Sequence, residues 1–159
     1  KFNKMDTKLG IPQKDMKSNI KVLAVVFASE MVLYVKTRKF HWNVSGNSFM
    51  EMHKLFEGQY NELELIIDEV AERIGKLGEK AIGTMKEFTS NSILKESTKY
   101  EDKDAMVKEL LDDYRTLISN IRDFIKETEE TDDFGTADFL TGIIQKHEAQ
   151  AWILRRYNS

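Results

Sequence analysis

The chain has 159 residues, of which 41% are hydrophobic and 32% charged, with a net charge of −3; these values fit one globular domain and give no overall attraction to nucleic acid. The absence of cysteine excludes a disulfide scaffold, an iron–sulfur cluster and a thiolate metal site, so any bound metal must be held by His, Asp or Glu. With no secretory signal pattern and no apolar run close to the roughly 20 residues that span a bilayer, we expect a cytoplasmic protein without a membrane segment.

The chain is predicted to begin with a tail over residues 1–14. Residues 1–17 carry a net charge of +3, and the excess comes from five lysines: Lys1, Lys4, Lys8, Lys14 and Lys17. Such a segment is suited to contacts with nucleic-acid phosphates, and it is equally typical of a solvated tail that packs on its own protein. The sequence leaves both interpretations open.

Four long segments with helical periodicity follow the tail. The first is apolar nearly all round at residues 22–27, which indicates burial on more than one face. The second opens at Ser48, which is predicted to form a capping box with Glu51. The predicted helices run over about residues 15–44, 48–75, 103–130 and 136–157.

The connections between these segments predict the fold class. The turns at residues 45–47 and 132–135 are short, so each pair of helices should pack antiparallel. The middle connection, residues 75–102, is long and contains one short predicted helix at residues 84–88. A long crossover between two antiparallel pairs indicates an all-α, ferritin-like four-helix bundle that forms a single domain over residues 1–159.

Residues that can bind metal are concentrated near the first turn and along the second helix. His53 and Glu57 lie at positions i and i+4, as do Asp68 and Glu72, so each pair projects from one helix face. The short turn also brings His41 level with His53, because the two are nearly equidistant from it. Imidazole and carboxylate together suit iron, manganese or zinc.

One chain cannot bring all of these side chains to a single ion. Glu57 and Asp68 are eleven residues apart, which is about 16 Å along a helix. Two copies of the second helix, antiparallel about a two-fold axis, would place His53 and Glu57 of one copy opposite Asp68 and Glu72 of the other. The spacing therefore predicts two equivalent metal sites shared between subunits.

Simpler interpretations compete with this one. A helix face rich in Asp and Glu is typical of a solvated surface, and spacing alone does not exclude an inert bundle. The Glu-x-x-His pattern of full-size ferritins is missing, since Arg38, Met50 and Ile144 stand three residues before the histidines; this disfavours a di-iron site in the bundle centre. His147 lies on an apolar stripe and is predicted to be a structural, hydrogen-bonded histidine.

Several stretches of the chain follow a known family pattern. They are Tyr-Val-Lys-Thr-Arg-Lys-Phe-His-Trp-Asn-Val-Ser-Gly at 34–46, Ile-Asp-Glu-Val-Ala-Glu-Arg-Ile at 67–74, Met-Lys-Glu-Phe at 85–88, Thr-Ala-Asp at 136–138, and His147-Glu148 with Trp152. Together they resemble the Dps family, the DNA-binding proteins from starved cells. The likeness extends over nearly the whole chain from about residue 8, and its His-Trp and Asp-Glu-x-Ala-Glu-Arg elements are highly specific.

This resemblance implies a ferroxidase in the form of a homododecameric shell with tetrahedral symmetry. Its iron sites would lie between two-fold mates, with His41, His53 and Glu57 from one subunit and Asp68 and Glu72 from the other. Iron would be oxidised there, usually with hydrogen peroxide in preference to dioxygen, and stored as ferric mineral. Glu57 departs from the family, which more often has aspartate at this position.

Two further features gain an interpretation from the resemblance. Trp42 resembles a tryptophan that donates an electron during oxidation, although a packing role explains it equally well. Asp132, Asp133 and Asp138 are predicted to line a three-fold pore through which iron enters; the helix dipole is the competing explanation for acids at a helix start. The rival function is a nucleoid-compacting DNA-binding protein with minor iron activity, in which twelve copies of the basic tail add weak contacts.

Overall fold

The computed structural model describes residues 7–157. Lys1 and Lys4 of the predicted tail lie outside this range. Within it the chain forms α-helices and no strands, which confirms the all-α prediction. The helices are α1 (Gln13–Asn43), α2 (Phe49–Lys76), α3 (Met85–Asn91), α4 (Lys103–Glu129) and α5 (Phe134–Tyr157). Every predicted end is within three residues of the observed one. The tail is shorter than predicted, because α1 already begins at residue 13.

The bundle consists of two antiparallel pairs, α1 with α2 and α4 with α5, and α1 contacts helices of both pairs. Its central position explains the broadly apolar stretch at residues 22–27, of which Leu23 and Val26 are almost fully buried. By length and composition α1 could cross a membrane, contrary to the sequence-based expectation. More than half of its most apolar stretch is buried inside the bundle, as is typical of the core helix of a folded domain.

The turn between α1 and α2 differs in detail from the prediction. Ser48 precedes α2 with φ of 67°, and its side chain makes no capping hydrogen bond. The predicted capping box with Glu51 is therefore wrong, because a box requires the extended backbone that an N-cap residue usually has. Gly46, with φ of 86°, supplies the other left-handed residue. These two conformations reverse the chain within a few residues.

The long crossover is anchored on α1 by the short helix α3. The capping box of this protein lies here: Glu87 N–H donates to the Thr84 hydroxyl, and the Glu87 carboxylate accepts from the Thr84 backbone N–H. The hydrogen bond from the Thr84 side chain is the main cause that lowers the pKa of Glu87. Phe88 packs edge-on against Phe27 at 5.2 Å between ring centroids. The crossover is thereby held across one face of the bundle.

A polar cluster occupies the middle of the bundle. Glu30 of α1 and His147 of α5 are both fully buried, with Glu30 Oε1 2.7 Å from His147 Nε2. The ring centroid of Tyr114 in α4 lies 5.2 Å from that of the His147 imidazole. Burial raises the pKa of the Tyr114 hydroxyl well above its ordinary value, and the charge of Glu30 makes a smaller contribution in the same direction. His147 is thus a buried, hydrogen-bonded histidine, although its Nδ1 has no partner within the described chain.

Candidate metal centre

The turn between α1 and α2 brings two histidines into direct contact. The rings of His41 and His53 stack with centroids 3.7 Å apart and an angle of 20° between their planes. Each ring lies beside the backbone of the other residue: His41 Nδ1 is 2.7 Å from the His53 carbonyl oxygen, and His53 Nδ1 is 2.9 Å from the His41 carbonyl oxygen. The two side chains therefore fix each other within one subunit.

These reciprocal hydrogen bonds decide which ring nitrogen can bind a cation. A carbonyl oxygen only accepts, so Nδ1 of each imidazole must carry the proton and donate it. In the neutral tautomer with the proton on Nδ1, Nε2 carries the lone pair through which histidine binds a metal. A backbone carbonyl on the second ring nitrogen is the usual arrangement for orienting a ligating histidine.

Aromatic side chains enclose the imidazoles on the protein side. Tyr60 of α2 contacts His41 edge-on, with 5.1 Å between ring centroids, and Phe49 lies 5.2 Å from His53. Only 7% of His41 is exposed. Trp42, next in sequence, is 64% exposed, and its ring centroid lies 5.4 Å from the guanidinium carbon of Arg38.

The carboxylates of the candidate set lie on α2 and are all exposed. Glu57 is one helical turn beyond His53, on the same face of the helix. Asp68 and Glu72 are a further three to four turns along α2, which is continuous from Phe49 to Lys76. Because each residue adds about 1.5 Å of rise, Asp68 is about 16 Å beyond Glu57. The structure brings together His41 and His53, with Glu57 adjacent, and keeps Asp68 and Glu72 apart from them.

A single subunit does not provide a complete metal site. Within residues 7–157, no three side chains of His, Asp or Glu converge to hold a cation. This includes the bundle centre, where Glu30 and His147 are the metal-binding types that meet. The described residues thus bring two candidate nitrogen ligands together without a converging set of carboxylates.

The three acids of the predicted pore differ from one another. Asp132 and Asp138 are exposed, whereas Asp133 is 2% exposed. The Asp133 carboxylate precedes α5 and accepts from the Thr136 backbone N–H at 3.0 Å, as an N-cap does. Asp138 lies beyond the first turn of α5, where the helix dipole acts weakly. The burial of Asp133 argues against its place in the predicted pore, and the roles of Asp132 and Asp138 there stay predictions.

The side chains around Asp133 show why it is buried. Arg73 Nη2 donates to its Oδ1 at 2.9 Å, and Asn19 Nδ2 donates to its Oδ2 at 3.1 Å. Gly135 permits this approach, since a Cβ there would lie 2.9 Å from Arg73 Nη2. The network connects α1, α2 and the start of α5. The signal in the sequence for this role is an Asp placed directly before a predicted helix, which is a preferred N-cap residue.

Comparison with known proteins agrees with this architecture. The family profile described as Ferritin-like domain matches residues 20–159. The DNA protection during starvation protein 2 of Bacillus anthracis is 36% identical over 141 residues, which cover 89% of this chain and 97% of that protein. A Dps protein from Vibrio cholerae O1, described as a member of a broad superfamily of ferritin-like diiron-carboxylate proteins, superposes with a TM-score of 0.92 at 30% identity, over 99% and 100% of the two chains.

The chain belongs to the Dps family of ferritin-like proteins. It is also 38% identical to an uncharacterized low temperature-induced protein of a Nostoc strain, over 94% of this chain and 84% of that protein. Membership confirms the resemblance drawn from the His-Trp element and the acidic motif of α2.

Proposed function

We propose that this protein oxidises Fe²⁺ at sites shared between two subunits and stores the ferric product in a dodecameric shell. The observation that carries the proposal is the pair His41 and His53, whose Nδ1 atoms donate to backbone carbonyls and whose Nε2 atoms are free to bind iron. Glu57 would complete one subunit's contribution, with Asp68 and Glu72 supplied by its two-fold mate. Carboxylate and imidazole suit Fe²⁺, and the carboxylates favour Fe³⁺ as charge develops.

The proposed reaction uses hydrogen peroxide as oxidant. Two Fe²⁺ each give up one electron, the O–O bond of one peroxide breaks, and two protons are taken up to form two molecules of water. Because both electrons are delivered together, no hydroxyl radical leaves the site. The protein supplies ligands, geometry and a place to which the product can move, while iron carries the redox chemistry. Dioxygen is the alternative oxidant, and kinetic comparison of the two would distinguish them.

This activity would also account for protection of DNA, a term in the names of several relatives, without any contact between protein and DNA. Removing Fe²⁺ and peroxide together removes both reactants that generate hydroxyl radical. Compaction of DNA by the basic tail is the second candidate function. A mobility-shift assay at low and moderate salt tests it, because phosphate contacts weaken steeply as salt is added. We propose a cytoplasmic location for either function.

Iron-soaked crystals test the proposed site most simply. Anomalous scattering at the iron edge should give a peak near His41 and His53 of one subunit and near Asp68 and Glu72 of another, at every two-fold interface. A peak in the bundle centre beside Glu30 would instead indicate a site within one subunit. Iron found only on scattered surface acids would overturn the proposal.

A further inference from the structure

Beside the histidine pair lies an arginine whose recorded partners are aromatic rings. The Arg38 guanidinium carbon is 4.2 Å from the centroid of the Tyr60 ring, 5.4 Å from that of Trp42 and 5.6 Å from that of Tyr34. Tyr34, Arg38 and Trp42 follow one another at i and i+4 along α1, so they form a single column on one face of the helix. Tyr60 joins the column from α2.

Arg38 contacts aromatic rings although the chain has 27 acidic residues that could pair with a cation. No carboxylate of residues 7–157 lies within ion-pair distance of Arg38. A flat guanidinium between flat rings is held by cation–π attraction and by stacking, and each contribution is stronger when the cation is partly desolvated. Arg38 is only partly exposed. The position of the Arg38 side chain therefore depends on the planar shape of its guanidinium as well as on its charge.

The column reaches the metal centre through one side chain. Tyr60 contacts both Arg38 and His41: its ring centroid is 4.2 Å from the guanidinium carbon and 5.1 Å from the centroid of the imidazole. His41 in turn stacks on His53 at 3.7 Å. A movement of Tyr60 would therefore remove the tyrosine contact of His41, while Phe49 would still support His53.

We propose that Arg38 is a positioning residue for the metal centre, and that its planar guanidinium holds Tyr60 against His41 so that the two imidazoles stay stacked. The inference rests on the proposed function, because it assumes that His41 and His53 bind the cation. Arg38 itself touches neither the metal nor a ligand atom. Without Arg38, Tyr60 loses a contact but stays buried and keeps its edge-on contact with Tyr34. We therefore expect a small shift of its ring, which leaves the histidines less ordered before binding and lowers affinity.

Replacing Arg38 in two ways separates shape from charge. Arg38→Ala removes both the plane and the cation, whereas Arg38→Lys keeps the cation and loses the plane. Arg38→Met keeps the apolar stem without the cation, and it serves as the second variant if Ala impairs assembly. Lys39→Ala is the matched control, since Lys39 is the next residue of α1 and contacts the Tyr100 ring at 4.5 Å, away from the histidines.

The readout is Co²⁺ binding to the assembled protein, followed by the visible absorption of the bound ion, which reports ligand geometry as well as affinity. We expect Arg38→Ala to weaken Co²⁺ binding about fivefold, less than the roughly 10- to 100-fold loss that follows removal of a direct hydrogen-bond partner of a ligand. The absorption bands should also change shape. Arg38→Lys should behave like Arg38→Ala, and Lys39→Ala like the unmodified protein.

Several results would overturn the inference. They are unchanged affinity and bands in Arg38→Ala, full recovery in Arg38→Lys, or an equal loss in Lys39→Ala. His41→Ala, measured in parallel, separates this failure from failure of the proposed function. If His41→Ala binds Co²⁺ as well as the unmodified protein does, the histidines are not ligands and both proposals fall. If His41→Ala loses binding while Arg38→Ala keeps it, only the role of Arg38 is lost.

Discussion

The nitrogen ligands and the oxygen ligands of the proposed centre differ in how firmly one subunit holds them. His41 and His53 are stacked on each other, bonded to backbone carbonyls and shielded by Tyr60. Asp68 and Glu72 are exposed. Of the two, Glu72 accepts a long hydrogen bond, from Lys76 Nζ to its Oε2 at 3.5 Å. Folding of one chain brings the histidines together, whereas in our proposal the acids are oriented only when subunits assemble.

This contrast divides the acidic residues into two groups that can be tested separately. Asp133 is buried and bonded like the histidines, although it binds Arg73 and not a metal. Exposed acids that are proposed as ligands or pore groups should affect iron chemistry and leave stability unchanged. Buried acids should do the reverse. The following variants are ordered from the largest expected effect to the smallest.

Loss of both histidines should have the largest effect. We expect His41→Ala with His53→Ala to reduce the rate of iron oxidation by more than roughly 100-fold, since removal of two direct ligands exceeds the loss of a supporting partner. Helical content and assembly should be retained, as judged by circular dichroism and light scattering. An oxidation rate close to that of the unmodified protein would eliminate these residues as ligands.

Substitution of Asp133 should lower stability and leave the rate of iron oxidation unchanged. Asp133→Asn breaks the ion pair with Arg73, which keeps 23% of its side chain exposed, so we expect a cost of about 3 kcal/mol, the low end for a broken buried pair. The neighbouring Asp132→Asn is the matched control and should change stability by less than about 0.5 kcal/mol. Denaturant unfolding measures both. Equal, small effects would mean that the Asp133 network does not hold α5 in place.

Asp68→Asn with Glu72→Gln should slow iron oxidation about tenfold, because the site keeps its histidines and Glu57 but loses the charge that favours Fe³⁺. The unfolding midpoint should stay the same, since both side chains are exposed. Glu64→Gln, an exposed acid on the same helix, is the control and should leave the rate unchanged. The contrast between ligands and solvated acids fails if all three substitutions have the same effect.

The smallest effect should come from the two exposed acids kept in the predicted pore. Asp132→Asn with Asp138→Asn should slow iron uptake about threefold at low salt, and the difference should shrink as ionic strength rises, because steering of cations is screened. The charge-matched pair Glu64→Gln with Glu101→Gln controls for net charge. If both pairs of substitutions slow iron uptake equally, the effect comes from overall charge and the predicted pore has no role.

Much of the fold could be predicted because helical periodicity is a strong local signal. The predicted ends of α4 and α5 fall within two residues of the observed ones, and the short turns correctly indicate antiparallel pairs. The capping pattern was less reliable: Ser48 and Glu51 have the right spacing and form no box, whereas Thr84 and Glu87 form one. Backbone conformation at the turn, and not residue type, decides between them.

The site was partly predictable for a related reason. Distance along a helix is fixed, so the separation of Glu57 from Asp68 could be stated before the structure. The stack of His41 on His53 and the position of Arg38 depend on how two helices face each other, which spacing does not give. The same holds for His147, whose structural role could be predicted while its partner Glu30, 117 positions away in sequence, could not.

Sharing of the centre between subunits is the central claim, and mixed assemblies test it most directly. One variant lacks His41 and His53, and a second lacks Asp68 and Glu72, so shells of either variant alone have only defective sites. In a mixed dimer one site combines both defects and the other has neither, because the two sites are related by the two-fold axis. Measured iron oxidation in verified mixed shells should therefore recover, up to about half of the unmodified rate for a pure heterodimer. No recovery would show that each site takes all of its ligands from one chain.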